Sequence, residues 1–441
     1  MQSIDLVIDA RWVVPVNPTG AALEHHSVAV HEGRIVALLP TAEAHATYRA
    51  TERVTLPRHA LIPGLVNLHT HASMALMRGF ADDLPLTNWL QDRIWPAENK
   101  YVSAQFVYDG TLLACAEMLR GGITCFNDMY LFPADAARAA LALGMRAALG
   151  LPVIDAPTAY AADAEDYVAK GLAVRDALRE QPLLTFCMAP HAPYTVSDKT
   201  FSRLITLAEE LDLPVHMHVH ETMEEIEQSV AQYGMRPLER LHRLGLVGPN
   251  LIAVHAIHLT QEEIALLVQN GSSVAHCPSS NLKFANGFAP VARLLAGGVT
   301  VGLGTDGSAS NNRLDLFQEM RQAALLAKAV SGDARVLPAH RALAMATQDG
   351  ARALRLDHAI GSIERGKFAD LTAVEFTAPE MLPCYDPISH LVYTAGREHV
   401  THVWVAGRML VENRDLKNLQ KNDLENLAIL WQNRLSMETR A

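Results

Sequence analysis

Eight short apolar runs, at positions 61–68, 124–129, 146–153, 183–189, 214–219, 251–254, 273–275 and 299–304, each end in polar or Gly/Pro punctuation and give way to an amphipathic stretch. That alternation is the pattern of repeated βα units, and eight of them close a parallel barrel. Between the runs, 197–211 (SDKTFSRLITLAEEL) opens on Ser and spaces its apolar residues at helical intervals, as an outer-ring helix should. The expected class is α/β: a (β/α)8 TIM-type barrel over residues 61–365.

Residues 1–60 and 366–441 break this rhythm and read as strands and turns (DLVIDARWVVPV, HSVAVHEGRIVALLP; FADLTAVEF, HVTHVWVAGRMLVEN). Neither flank has enough strands for a sandwich of its own. The expectation is one small β-sandwich domain built from both chain ends, with the barrel inserted and an amphipathic helix from Lys421 onward. A length of 441 residues suggests about three domains, but one barrel absorbs most of it. With 49% hydrophobic and 19% charged residues the chain is too apolar to be disordered. Its net charge of −11, from 37 Lys+Arg against 48 Asp+Glu, opposes a nucleic-acid footprint. Two Asp and one Arg in the first eleven residues interrupt any signal-like apolar core, and no run of about 18 apolar residues follows, so a cytoplasmic protein without a membrane partner is expected. The five Cys are odd in number, scattered and without CxxC, which points to buried small hydrophobes rather than disulfides or a thiolate metal site.

Histidine carries the chemistry. In Asn67-Leu68-His69-Thr70-His71, at the end of the first run, residues two apart on a strand point the same way, so His69 and His71 can converge on one ion. The fifth run ends in Val215-His216-Met217-His218-Val219-His220-Glu221. A barrel builds its active face at the strands' C-terminal ends, which favours His218. His216 then lies one layer deeper as a packed core residue, His220 falls in the loop, and Glu221 leans over the metal without binding it. Asp306, closing the eighth run, could by itself cap the next helix. Beside three His it reads better as a ligand. Three His and one Asp make a nitrogen-and-oxygen set suited to Zn²⁺ with a position left for water, whose pKa zinc lowers from about 16 toward about 7.

These motifs, with His255 after the sixth run, GTDG at 304–307 and GSIERGKFADL further on, resemble the amidohydrolase superfamily essentially end to end. LVNLHTHASMALMRG, DDLPLTNWL, IWPAE ending at Glu98, GGITCFNDMY, APHAPYTVS and HVHET are similar to the branch that holds methylthioadenosine/S-adenosylhomocysteine deaminases and triazine chlorohydrolases. The resemblance implies Zn²⁺ ligands His69, His71, His218 and Asp306, with Glu221, His255 and Asp306 as catalytic acid/base groups. It also implies substrate contacts by Glu98 and His191 alongside Glu221 and Asp306. Two-metal members carry a carbamylated lysine at the end of strand four; LLTFCMAP has none, so one zinc per subunit is implied. The implied reaction is attack of zinc-activated water on C6 of an adenine ring, with Glu221 protonating N1, Asp306 relaying a proton to the amine, and ammonia leaving.

From the residues alone, Glu98 could be a surface carboxylate in a loop and His191, between two prolines, a packing residue. The resemblance makes Glu98 an acceptor for ribose hydroxyls. Met74, Trp89 and Leu90 would line a methylthio pocket, and Ser279-Ser280-Asn281 would close over the base. His258 and His276 read as structural or outer-sphere residues. Arg146 stands open between meeting an amino-acid carboxylate on a larger substrate and a structural pairing. The expected partner is a small-molecule nucleoside, methylthioadenosine, S-adenosylhomocysteine or adenosine, acted on by a homo-oligomer. Competing readings are a guanine- or triazine-type hydrolase, and a non-catalytic barrel scaffold.

Overall fold

The computed structural model describes residues 1–436, so positions 437–441 of the expected C-terminal segment lie outside the described residues. Eight parallel strands, Leu65–Thr70, Ile123–Asp128, Arg146–Val153, Leu184–Pro190, Val215–Val219, Leu251–His255, Ser273–His276 and Thr300–Leu303, hydrogen-bond in sequential order. The eighth returns to the first through the Asp306 N–H, which donates to the His69 carbonyl at 2.9 Å. The strands are buried almost throughout, because a parallel sheet covered on both faces needs apolar residues at every position.

The intervening helices form where their caps say. Ser197 accepts from the Thr200 N–H ahead of helix Asp198–Glu210, which buries Phe201, Leu204, Leu207 and Ala208 on one face. Thr222 caps Met223–Tyr233, and Thr260 with Glu263 forms a reciprocal capping box on Gln261–Gln269.

The chain ends form a second, separate sheet. Strands Gln2–Val13 and Tyr48–Pro63 pair in parallel, and Tyr48–Pro63 pairs antiparallel with Leu371–Glu375, joining N- and C-terminal segments. Hydrogen bonding makes one eight-stranded sheet, and Ile8, Val30, Leu371 and Trp404 share its core. The run expected as the first barrel strand, 61–68, is divided between the two sheets: Leu61, Ile62 and Pro63 face Ala373, Thr372 and Leu371, and the barrel begins at Leu65. Both sides of the junction are fully buried, so hydrophobicity does not mark it. Gly64 does, since a Cβ there would lie 2.1 Å from Thr124 Oγ1.

By internal contacts the chain divides into two compact units. One comprises 1–67, 116–125 and 315–418; the other comprises 68–115, 126–314 and the residues from Leu419 on. Within the second, the terminal helix Lys421–Leu435 packs Trp431 on Phe106 at 5.1 Å, and Trp431 Nε1 donates to Asp109 Oδ2 at 2.8 Å. Cys115, Cys125, Cys187 and Cys277 are buried thiols. Among the described residues, no helix is long and apolar enough to cross a membrane.

Candidate metal centre and active site

Strand alternation brings the His69 and His71 rings to 4.8 Å of each other. From the fifth strand, His218 places Nε2 at 3.3 Å from His69 Nε2. Asp306 places Oδ1 at 3.5 Å from His69 Nε2 and 3.4 Å from His71 Nε2. A tetrahedral ion with ligand bonds of about 2.0–2.2 Å holds its ligand atoms about 3.4 Å apart. The observed spacings are those of nitrogen and oxygen donors converging on one such cation.

The outer nitrogens of the imidazoles are already committed. His71 Nδ1 donates to the Met129 carbonyl at 2.5 Å and His218 Nδ1 to the His191 carbonyl at 2.8 Å. Carbonyls only accept, so each Nδ1 carries the proton and each Nε2 turns a lone pair inward. His69 Nδ1 pairs with Nε2 of the fully buried His216 at 2.9 Å. Burial holds His69 down to about 4 and His218 well below the usual histidine range, which keeps both rings neutral as ligands must be.

The donor atoms of His69, His71 and Asp306 lie within 4.8 Å of one another, and those of His69, His218 and His255 form a second such group that shares His69 with the first. His255 Nδ1 donates to Asn281 Oδ1 at 2.8 Å, which leaves Nε2 facing Glu221 Oε1 at 3.7 Å. His255 and Asp306 both adopt left-handed backbone, φ +68° and +61°, a conformation that costs about 1–3 kcal/mol per non-glycine residue and concentrates at functional sites. Gly304 permits the close approach, since a Cβ there would meet His69 Cβ at 2.8 Å. Burial raises the Glu221 carboxyl above the usual range against the opposing field of His255.

His71, His218, Glu221, His255 and Asp306 line a cavity of about 350 Å³, with Glu98 and His191 further along its wall. Glu98 lies on the short helix Trp95–Tyr101, not in a loop, where its Oε1 accepts from Tyr130 Oη at 2.6 Å and burial raises its pKa. His191 bonds Thr195 Oγ1 through Nδ1 at 3.1 Å, and burial pushes it down to about 4. Met74, Trp89 and Leu90 line the apolar side, and Trp89 meets Phe284 edge-on at 5.0 Å.

A model of the amidohydrolase family matches residues 60–410. The chain belongs to the amidohydrolase family. The protein named 5-methylthioadenosine/S-adenosylhomocysteine deaminase in Saccharophagus degradans is 47% identical over 428 residues, covering 97% of this amidohydrolase and 96% of that relative. Its namesake in Teredinibacter turnerae is 46% identical over 436 residues, covering 98% of each. A crystal structure of an adenosine deaminase from Xanthomonas campestris with bound zinc superposes with a TM-score of 0.98 at 50% identity, covering 99% of both chains. Atrazine chlorohydrolase from Arthrobacter aurescens, at 23% identity, shares the fold with a TM-score of 0.90 over 97% of this chain and 99% of that one.

Several residues that hold the amidohydrolase site were not singled out from sequence for that role. Ser280 and Asn281 do not lie over the cavity; both are buried, with Ser280 Oγ donating to Asp306 Oδ2 at 2.6 Å and Asn281 holding His255. Glu225 accepts from the His220 and Glu221 N–H groups at 2.9 and 2.8 Å, pinning the turn that presents Glu221. Thr222-x-x-Glu225 has capping-box spacing, a signal legible in sequence. His220 turns away from the cavity and accepts from the Leu238 N–H at 3.1 Å. Arg146, at the start of the third strand, donates to the Pro182 carbonyl at 3.3 Å and does not line the cavity, so the structural reading is the correct one.

Proposed function

We propose that this amidohydrolase is a zinc-dependent hydrolytic deaminase that converts the adenine of 5′-methylthioadenosine, S-adenosylhomocysteine or adenosine to hypoxanthine and releases ammonia. The observation that carries the reading is the meeting of His69, His71 and Asp306 at single-ion spacing, with His218 Nε2 at 3.3 Å from His69 Nε2, beside a buried carboxyl and inside a cavity of about 350 Å³. The relatives named above, similar over nearly their whole length, support the substrate class. The zinc-bound deaminase structure supports the metal.

In this reading His69, His71, His218 and Asp306 hold the zinc, which when bound supplies Lewis acidity and an acidified water at neutral pH. Glu221, whose carboxyl burial pushes above the usual range, donates to N1 so that the ring can accept electron density at C6. Asp306, clamped by Ser280 Oγ and by the Gly307 N–H at 2.7 Å, takes a proton from the attacking water and returns it to the departing amine. His255, with Nδ1 committed to Asn281, presents Nε2 to the same water. Glu98 accepts from ribose hydroxyls once Tyr130 yields or shares its contact, and His191 touches the purine or ribose. The proposal includes a cytoplasmic homo-oligomer; light scattering of the zinc-loaded protein checks the assembly.

The deciding experiment incubates zinc-loaded protein with methylthioadenosine, S-adenosylhomocysteine, adenosine, guanine and a chlorotriazine. Ammonia release with the adenine-to-hypoxanthine ultraviolet change from at least one adenine nucleoside is the expected outcome. Product from guanine or the triazine alone would overturn it.

A further inference from the structure

The cavity pairs anionic groups with an apolar wall. Glu98, Glu221 and Asp306 are its acids, and Leu86, Trp89, Leu90, Ile94, Leu131 and Phe284 form much of the rest. Trp95 and Tyr194, 37% and 43% exposed, extend that wall toward solvent. Among the described residues, no Lys or Arg lines the cavity.

The cations borne by neighbouring segments are committed elsewhere or stand outside. Lys283, one residue before Phe284, places Nζ at 2.6 Å from Asp82 Oδ1 and 3.0 Å from the Ala309 carbonyl. Lys170 reaches the loop after strand three, but its ammonium donates to the Tyr160 carbonyl at 2.7 Å and to Asp166 Oδ2 at 2.8 Å. Arg146 begins the third strand, whose far end contributes Pro152 to the cavity, six residues or about 20 Å away. Arg93 and Lys100 are exposed and do not line it.

We infer that this site accepts adenine nucleosides whose 5′ substituent is neutral and apolar and rejects one that ends in an amino-acid zwitterion, by charge rather than length. The inference rests on the deaminase reading proposed above. A thioether bearing an alkyl group exchanges water for the aromatic and aliphatic wall, a favourable transfer. A homocysteine tail carries a carboxylate that would meet no Lys or Arg side chain there and would exchange water for the aromatic and aliphatic wall. An ion removed from water without a partner is strongly disfavoured.

The test measures kcat/KM of the zinc-loaded enzyme for adenosine, 5′-methylthioadenosine, 5′-n-butylthioadenosine and S-adenosylhomocysteine. The butylthio compound matches the reach of the homocysteine tail without its charges. Methylthio and butylthio nucleosides are expected within about tenfold of each other, with S-adenosylhomocysteine about 100-fold or more below both. S-adenosylhomocysteine within tenfold of the butylthio compound would overturn the inference, and so would a butylthio compound as poor as S-adenosylhomocysteine, which would make length the discriminator. Both results leave the deaminase reading standing. No turnover of any of the four would remove that reading, and this inference with it.

Discussion

At the scale of single residues, the site is a set of side chains whose second hydrogen bond decides what the first can do. Asn281 is the sharpest case. Its Oδ1 accepts the His255 Nδ1 proton at 2.8 Å, which fixes the ring's tautomer and turns Nε2 to the cavity. Asn281→Ala is expected to lower kcat by roughly 10- to 100-fold, the range of general acid–base and outer-sphere effects, while KM and the zinc content of the purified protein stay near wild type. Steady-state kinetics paired with metal analysis checks it; a lost zinc or a large rise in KM would mean that Asn281 serves the ligands or the pocket instead. The histidines were legible because a strand's two-residue period is local. Asn281 was not, since it acts across 26 residues of sequence on a partner set by the fold. Glu98 was legible only through resemblance, since nothing within the IWPAE stretch indicates that the carboxylate is buried against Tyr130.

At the scale of elements, apolar runs and caps located strands and helices, and failed where two buried strands abut. The 61–68 run crosses from one sheet to the other without a change in hydrophobicity, and only the glycine at 64 marks the break. The strand Tyr48–Pro63 also carries a buried titratable group. His59 sits opposite Glu375, 8% exposed and with Nδ1 unpartnered among the described residues, and burial lowers its pKa to about 4. The unfolded chain takes up that proton near the usual histidine value of about 6.5, whereas the folded chain resists until about 4. The folded state therefore binds fewer protons across that window. His59 leaves stability untouched above about pH 6.5 and erodes it as pH falls toward about 4, by roughly 1 kcal/mol per pH unit. Urea unfolding of zinc-loaded wild type and His59→Gln at pH 7, 6 and 5 is expected to show a shallower decline for the variant. Parallel declines would place the acid sensitivity elsewhere.

At the scale of the whole molecule, the ligands explain why a barrel is needed at all. His69 and Asp306 are 237 positions apart, yet strand order makes them neighbours, because the eighth strand hydrogen-bonds back to the first. No local signal in the chain reports that closure; it follows only from counting eight units. The bound ion should in turn tie strands one, five and eight together, so metal removal is a test of the architecture as well as of the chemistry. Buried neutral imidazoles tolerate the loss, since each keeps its Nδ1 partner, and the strands are buried independently of the ion. Chelation is therefore expected to abolish turnover and leave the far-ultraviolet circular dichroism unchanged. A ligand present at about 1,000 times its Kd stabilises the native state by about 4 kcal/mol. At about 1 °C per kcal/mol for a chain of 441 residues, Tm should fall by about 4 °C and return when one equivalent of zinc is restored. The same treatment of His218→Ala should shift Tm far less, because an incomplete donor set holds the ion weakly in the first place. An unchanged Tm after verified zinc removal from the wild type would mean that these four side chains do not share an ion.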